Sequence, residues 1–416
     1  MTTHNEHELP DAEQGDQANT DISENLETTG PENDQIQYHG RWQDVLKLSC
    51  WNALWTILTL GIFRFWAKTR MRRYIWSNIV VDGDALEYTG RGLELFLGFV
   101  IVSVIFIPVI AAATFVSTQL PPHLMFIPEL VLYLAIFFLV FVAIYRATRY
   151  RYSRTFWRGI RARLGGSALK YGLIGFGSSV LGLVTFGILI PYNFVVTTRY
   201  ETENTWIGDT KARFTGRLGP VLRKWLLSWV LCLAVLAITT AIAVVSQSRW
   251  MILLGILPYL AIIAIMIRYR VWLFRYQAEN TEMGGLRFAS TLTTAQYVKI
   301  LLRFLLVTVV IGAVFFALLA LTGGLTFFSL LKSGSIGQMA PGQVATVAIP
   351  LIILVLIASP VFKIASFVAM THPMLAVQVA SLCHDGDVSE LHANPDANTV
   401  PRTGEGLAEA FGLGGI

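Results

Sequence analysis

The stretch that decides the fold is residues 199–216, RYETENTWIGDTKARFTG, which lies between two long apolar segments. It begins with Arg-Tyr, continues with residues that favour β-strands, and has Gly208-Asp209 at its centre. Glycine and aspartate tolerate the positive φ angles that a two-residue hairpin turn requires. The stretch therefore predicts a β-hairpin between two helices.

Related stretches recur along the chain. Each begins with Arg-Tyr, has Asn or Arg four residues after the tyrosine, and has a glycine eight or nine residues after it: RYIWSNIVVDGDALEYTG at 73–90, RYRYSRTFWRGIRARLGG at 149–166 and RYQAENTEMGGLRFAS at 275–290. A weaker fifth copy at 381–391, SLCHDGDVSEL, lacks Arg-Tyr. Because a lone hairpin is marginally stable in water, we expect the copies to pair as a cytoplasmic sheet. The alternative is five separate loops at the membrane surface.

The composition is that of an α-helical protein that crosses a membrane several times. Hydrophobic residues make up 54% of the 416 residues and charged residues 14%, whereas about 25% of an average soluble domain is charged. Six apolar segments are long enough to span a bilayer as helices: 93–118, 129–146, 222–246, 250–274, 298–322 and 345–370.

Charge predicts the topology and singles out two further apolar segments, 45–66 and 169–196. Of the 32 Lys and Arg residues, 26 fall in four segments, which the positive-inside rule places in the cytoplasm: 64–92, 146–170, 197–224 and 268–303. Basic segments thus lie on both sides of 169–196, so a single crossing there is disfavoured. We interpret both apolar segments as re-entrant helical hairpins. The alternative is that each is an ordinary transmembrane helix.

These patterns divide the chain into five parts. Residues 1–35 are an acidic tail that we expect to be disordered, since 1–34 hold ten Asp and Glu and no Lys or Arg. Residues 36–168 and 169–292 are two membrane repeats, each a re-entrant hairpin, a ribbon, a helix pair and a second ribbon. Residues 293–392 are a last helix pair with the degenerate ribbon, and 393–416 are a C-terminal tail.

Motifs for catalysis are missing from the sequence. The histidines and cysteines have no zinc-type spacing, and there is neither a phosphate-binding loop nor a nucleophile elbow. We therefore expect no enzyme activity, no cofactor, no metal site and no nucleic-acid partner.

A few polar residues are nevertheless candidates for function. Lys363 is an ionisable group inside a predicted span, and Asn52 and Asn193 lie in the predicted re-entrant segments. The arginines of the four Arg-Tyr pairs, Arg73, Arg149, Arg199 and Arg275, stand at predicted inner helix ends. They would anchor these ends at the lipid headgroups. Alternatively, they bind anionic lipid together with the run Arg146, Arg149, Arg151, Arg154, Arg158, Arg161 and Arg163.

Three stretches resemble the YjgN-like family of bacterial inner-membrane proteins: LTLGIFRFWAKTRMRRY (58–74), NIVVDGDALEYTG (78–90) and GEGLAEAFGLGGI (404–416). The resemblance runs from about residue 38 to the C-terminus. It implies the bacterial inner membrane, and the charge pattern adds that both termini are cytoplasmic. The family is of unknown function, so it supplies no reaction, ligand or site.

The sequence leaves two hypotheses for the activity. The first is a transporter or channel-like protein for a small solute or lipid, which the repeat, the glycine-rich hairpins and Lys363 favour. The alternative is a non-transporting membrane scaffold or anionic-lipid-binding protein. Membrane lipids, in particular anionic ones, are the expected partners in either case.

Overall fold

The computed structural model describes residues 36–246, 256–321, 332, 341–386 and 406–411. The described helices, in chain order, are α1 Trp42–Leu58, α2 Arg64–Ser77, α3 Gly92–Gln119, α4 Phe126–Ser153, α5 Ala168–Val184, α6 Ile190–Glu203, α7 Leu218–Ser246, α8 Ile256–Glu279, α9 Thr294–Leu321, α10 Pro341–Ser366, α11 His372–Ala380 and α12 Gly406–Ala410. A π-helical turn, Phe367–Thr371, joins α10 to α11. The predicted acidic tail lies outside the described residues.

Five helical segments are long and apolar enough to cross a membrane: Gly92–Gln119, Phe126–Ser153, Leu218–Ile242, Thr294–Ala320 and Ile352–Ala380. Only 6% to 12% of each apolar window is buried inside the protein, so these helices present apolar surface that a bilayer would cover. The chain is thus a helical, polytopic membrane protein. The predicted sixth span, 250–274, begins outside the described residues, and α8, which covers its remainder, is not among the five.

The two glycine-containing segments each form a pair of helices joined by a tight turn. In the first pair, α1 and α2 are connected through Leu60 and Gly61, with φ angles of 49° and 92°. In the second, α5 and α6 are connected through Phe186 and Gly187, with φ angles of 51° and 87°. The same turn in both pairs explains the common Thr-x-Gly-Ile motif, since glycine adopts a positive φ without strain.

The described strands are short and antiparallel: β1 Gln37–Tyr38, β2 Ile79–Val81, β3 Asp84–Ala85, β4 Glu87–Tyr88, β5 Thr155–Trp157, β6 Ile160–Leu164, β7 Thr205–Ile207, β8 Thr210–Phe214, β9 Thr281–Met283, β10 Leu286–Ser290 and β11 Leu382–Asp385. The ribbons pair with one another as predicted: β4 to β11 form one sheet in sequence order, and β1 to β3 form a second.

Backbone hydrogen bonds join the two sheets into a closed ring. Leu86, between β3 and β4, donates to the Ile79 carbonyl at 2.9 Å, so β3 and β4 act as one bent strand. At the other edge, the Ile36 amide donates to the Leu382 carbonyl at 3.2 Å and links β1 to β11. In the described part of the chain the strands therefore form a ten-stranded barrel.

The repeat in the structure is a strand, a helix pair and a strand, and it occurs five times. The helix pairs are α1–α2, α3–α4, α5–α6, α7–α8 and α9 with α10–α11, and each begins and ends at the barrel. Four hairpins connect successive units. The fifth hairpin is split, because its first strand is β11 and its second strand is β1 at the other end of the described chain.

The last described helix, α12, lies within the segment predicted as a C-terminal tail, and it packs on α3 and α4. Ala408 is fully buried against Ala143 and Ala147. Glu409 forms an ion pair with Lys68 of α2 at 2.7 Å. The motif GLAEAF therefore closes the groove between three helices.

Candidate functional site

The barrel encloses a cavity of about 740 Å³ with a mainly apolar wall. Every second residue of a strand lines it, as expected for the inner surface of a barrel; examples are Thr155 and Trp157 in β5, and Thr281 and Met283 in β9. Ends of α4, α6 and α8 cover one side of it. A volume of this size is within the range of about 300–1,000 Å³ that is usual for small-molecule sites.

Equivalent positions of the five units form a ring around this cavity. The third residue of the first strand of each hairpin lines it, and four of the five are apolar: Val81, Trp157, Ile207, Met283 and His384. His384 is 7% exposed, and neither of its ring nitrogens has a hydrogen-bond partner among the described residues. A buried imidazole normally has a hydrogen-bond partner. Of these five positions, His384 is the one with a polar side chain.

The charged groups of the cavity and several further polar side chains come from the helix ends. Arg151 and Thr148 project from α4, Glu201 from α6 and Gln277 from α8. Burial raises the pKa of the Glu201 carboxyl, and the positive charge of Arg151 partly offsets that rise. The cavity thus has an apolar wall of strand residues and a polar layer where the helices enter.

The two predicted asparagines lie in equivalent contacts of the two short helix pairs. Asn52 of α1 donates to the Ala67 carbonyl of α2 at 3.4 Å. Asn193 of α6 donates to Ser178 Oγ of α5 at 2.8 Å. Alignment on the shared turn equates Asn52 with Ser178 and Ala67 with Asn193, so the same contact is made from opposite helices. Both asparagines hold their helix pair together, and neither lines the barrel cavity.

Three of the four predicted arginines brace the corners where a strand passes into a helix. Each guanidinium donates to a glycine carbonyl of the following corner: Arg73 to Gly90 at 3.3 Å, Arg149 to Gly165 and Gly166, and Arg199 to Gly216 at 2.7 Å. These bonds form because the ribbon folds back under its own helix end, and the predicted anchoring of the arginines at lipid headgroups stays a prediction.

Arg275 differs from the other three. The residue seventeen positions after it, where the other copies have glycine, is Leu292. Leu292 is buried, with 1% exposure, while Arg275 is exposed. It lines a groove between α7 and α8.

Most of the predicted arginine run likewise has contacts within the protein. Arg154 forms an ion pair with Glu94 at 2.8 Å, and Arg158 forms one with Asp82 at 2.9 Å. The guanidinium groups of Arg161 and Arg163 lie over the rings of Phe156 and Trp206. Lys363 is exposed on α10 and does not line the cavity.

Sequence reasoning missed Glu201 and His384 as site residues and treated Arg151 only as part of the arginine run. A signal was present for His384, because it stands four residues after a helix end, as Val81 and Trp157 do. For Glu201 and Arg151, the signal would have required knowledge of which helix ends meet above the barrel.

In the part of the chain that the structure describes, no group of three or more His, Cys, Asp or Glu residues is arranged to hold a metal ion. The residues that line the cavity offer hydrogen bonds, the opposite charges of Arg151 and Glu201, and apolar contact.

Comparison with known proteins gives one family. A family model described as bacterial protein of unknown function (DUF898) matches residues 33–410. Inner membrane protein YjgN of Salmonella typhimurium strain LT2 is 38% identical over 56 residues, which are 14% of each chain. Inner membrane protein YjgN of Escherichia coli strain K12 is 33% identical over 60 residues, 14% of this chain and 15% of that protein. The chain thus spans only about a seventh of the length of these curated relatives. No solved structure matches.

Proposed function

The chain belongs to the DUF898 family of bacterial proteins of unknown function and is an integral inner membrane protein, and we propose that its barrel binds a small amphiphilic molecule of lipid type. The barrel would lie on the cytoplasmic side, where the basic residues next to the spans favour it. The short helix pairs α1–α2 and α5–α6 would enter the bilayer and return.

The observation that supports this proposal is the closed barrel with its own cavity. A barrel of about eight strands has room for side chains or one small ligand, whereas barrels of about sixteen strands leave an aqueous channel. With ten strands, this barrel is close to the ligand-holding class. The polarity of the wall adds the chemistry: the apolar part of the ligand would contact Trp157, Ile207 and Met283, and its polar group would face Arg151 and Glu201.

Transport of a small solute or lipid stays a hypothesis with less support. Lys363, which motivated it, is exposed on α10 and lies outside the cavity. Liposomes with the purified protein are the direct test, and Lys363→Ala would reduce transport if this residue contributes.

Cavity filling tests the binding proposal. Ala162 lines the cavity on β6, so Ala162→Phe places a ring inside the barrel. Ala289 is exposed on β10, so Ala289→Phe adds the same ring on the outside and serves as the control.

The measurement is native mass spectrometry of the full chain, released from nanodiscs prepared from bacterial inner-membrane lipid. We expect Ala162→Phe to retain one amphiphile fewer per chain than the wild type, and Ala289→Phe to retain as many as the wild type. Equal retention by both variants would show that the amphiphile binds outside the barrel and would contradict the proposal. Size-exclusion chromatography and thermal unfolding show whether both variants are folded.

A further inference from the structure

The groove between α7 and α8 has a chemistry that the barrel cavity lacks. Its volume is about 690 Å³, and it lies where both helices approach the barrel. Three cationic side chains line it, Lys224 from α7 with Arg268 and Arg275 from α8. Among the described residues that line it, none is acidic.

Helical spacing puts these residues on two facing surfaces. On α8, Arg268, Trp272 and Arg275 follow one another at intervals of four and three residues, so they share one helix face. On α7, Lys224, Leu227 and Leu231 follow one another at intervals of three and four residues and likewise share one face. The Lys224 ammonium lies over the Trp272 ring, 5.9 Å from its centre.

Charge and apolar surface overlap only partly along the groove. Lys224 is six residues from the start of α7 and Arg275 is four residues from the end of α8, and both of these helix ends are at the barrel. Arg268 lies deeper, eleven residues from the same end of α8. Leu231 is thirteen residues from the start of α7 and 45% exposed, so it carries apolar surface beyond the cations. The groove therefore has cations over the half near the barrel and apolar surface farther out, which is the polarity of a phospholipid that stands in one leaflet.

The repeat supplies an independent reason. In the other three copies the arginine of Arg-Tyr bonds to a glycine carbonyl at the next corner. In this copy the corner residue is Leu292, and the arginine lines the groove instead. The copy that lacks the hydrogen bond to a glycine carbonyl is thus the one whose arginine lines the groove together with Lys224 and Arg268.

We propose that the groove between α7 and α8 binds the phosphate headgroup of an anionic phospholipid through Lys224, Arg268 and Arg275. The acyl chains extend along Leu227 and Leu231 toward the bilayer centre. This site is independent of the barrel cavity, and it selects for headgroup charge, whereas the cavity selects for apolar shape.

The test compares two double variants that remove equal charge from the same helices. Lys224→Gln with Arg268→Gln removes two groove cations. Arg223→Gln with Arg270→Gln removes two exposed cations that lie one residue from Lys224 and two residues from Arg268 in sequence and do not line the groove. Nanodiscs contain phosphatidylglycerol and phosphatidylcholine in equal amounts, and native mass spectrometry of the full chain gives the ratio of the two lipids retained.

We expect the wild type and the control variant to retain more phosphatidylglycerol than phosphatidylcholine. The groove variant should lose this preference by roughly tenfold or more, since each cation next to an anionic lipid contributes on the order of one decade or slightly less. The conservative pair Lys224→Arg with Arg268→Lys should keep the preference, which separates lost charge from misfolding.

An equal loss in both double variants would mean that overall charge attracts the lipid, and the assigned groove would be wrong. An unchanged preference in the groove variant would overturn the proposal as well. Ala162→Phe, which fills the barrel, should leave this preference unaltered, so failure of the barrel proposal and failure of this one can be told apart.

Discussion

At the scale of single residues, the motif Arg-Tyr-x-x-x-Asn is a set of three backbone contacts. The arginine donates to the glycine carbonyl of the next corner. The tyrosine both accepts from and donates to the backbone of the residue that precedes its partner helix, as Tyr200 does with Ser167 at 2.8 and 3.0 Å. The asparagine donates to the tyrosine carbonyl, as Asn204 does to Tyr200 at 2.7 Å. Together they satisfy polar groups that a helix end leaves open.

The arginine contact gives a stability prediction. Arg149→Gln removes the hydrogen bonds to Gly165 and Gly166, and we expect it to lower the free energy of unfolding by about 1–3 kcal/mol. Arg275→Gln changes the same motif position where the side chain is exposed, and it should cost less than about 0.5 kcal/mol. Thermal unfolding in one detergent measures both. Equal losses of unfolding free energy in the two variants would show that the hydrogen bonds to the glycine carbonyls do not explain why the motif repeats at this spacing.

The cavity carboxylate gives a pH prediction. The pKa of Glu201 is raised in the folded protein by burial, so the native state binds more protons than the unfolded state between the two pKa values. Its contribution to stability is therefore greatest below the unfolded pKa, about 4.3, and is lost as pH rises toward the folded pKa. Glu201→Gln should remove this loss and raise the melting temperature at pH 7 relative to the wild type.

The control for that experiment is Glu203→Gln, two residues along the same helix and outside the cavity lining. It should keep the wild-type dependence of melting temperature on pH between 4 and 8. If Glu201→Gln also keeps the wild-type dependence of melting temperature on pH, water reaches the Glu201 carboxyl in solution. The cavity would then hold more water than its mainly apolar lining indicates.

At the scale of elements, the two short helix pairs have apolar tips. Leu60 is 95% exposed and Phe186 is 85% exposed, and both stand in the turn between the helices. The first helices of the pairs have 17 residues each, which corresponds to about 25 Å. This is shorter than a hydrocarbon core of about 30 Å. The tips are thus suited to end inside a bilayer.

Cysteine labelling tests this position. In a background in which Cys50, Cys232 and Cys383 are serine, we expect Phe186→Cys to resist a membrane-impermeant maleimide from both sides and to react with a membrane-permeant one. Ser167→Cys, at the barrel end of the same helix pair, should react with the impermeant reagent from the side of the barrel. Labelling of Phe186→Cys by the impermeant reagent on the opposite side would show a full crossing.

At the scale of the whole molecule, the barrel is closed by a strand from each end of the described chain. The Ile36 amide donates to the Leu382 carbonyl at 3.2 Å, and the centres of the Tyr38 and His372 rings are 5.5 Å apart with the rings tilted by 59°. The five helix pairs are therefore arranged around one ring, and the order of strands in that ring fixes which helices are neighbours. Closure also removes the free strand edges that favour aggregation.

Deletion of the closing strand tests this arrangement. Removal of residues 1–40 eliminates β1 and its contacts, and we expect the free energy of unfolding to fall by about 2–4 kcal/mol. Residues 1–35 are expected from their composition to be a disordered tail, so we expect their removal to leave the melting temperature of the full chain unchanged. If the two truncations have the same melting temperature, β1 does not close the barrel in solution.

The sequence by itself determined the membrane class, the ribbons with their turns, and the paired short segments. These follow from local properties: the length of apolar runs, turn residues that accept positive φ, and a motif at fixed spacing. Only the tertiary structure decided that the ribbons close into a barrel, that Arg149 and its equivalents bond to glycine carbonyls, and that Glu201 and His384 share a cavity. The closing strand has two residues, which is too short for any periodicity. The cavity depends on contacts between residues far apart in the chain, and such contacts are fixed by ring order, which no local pattern encodes.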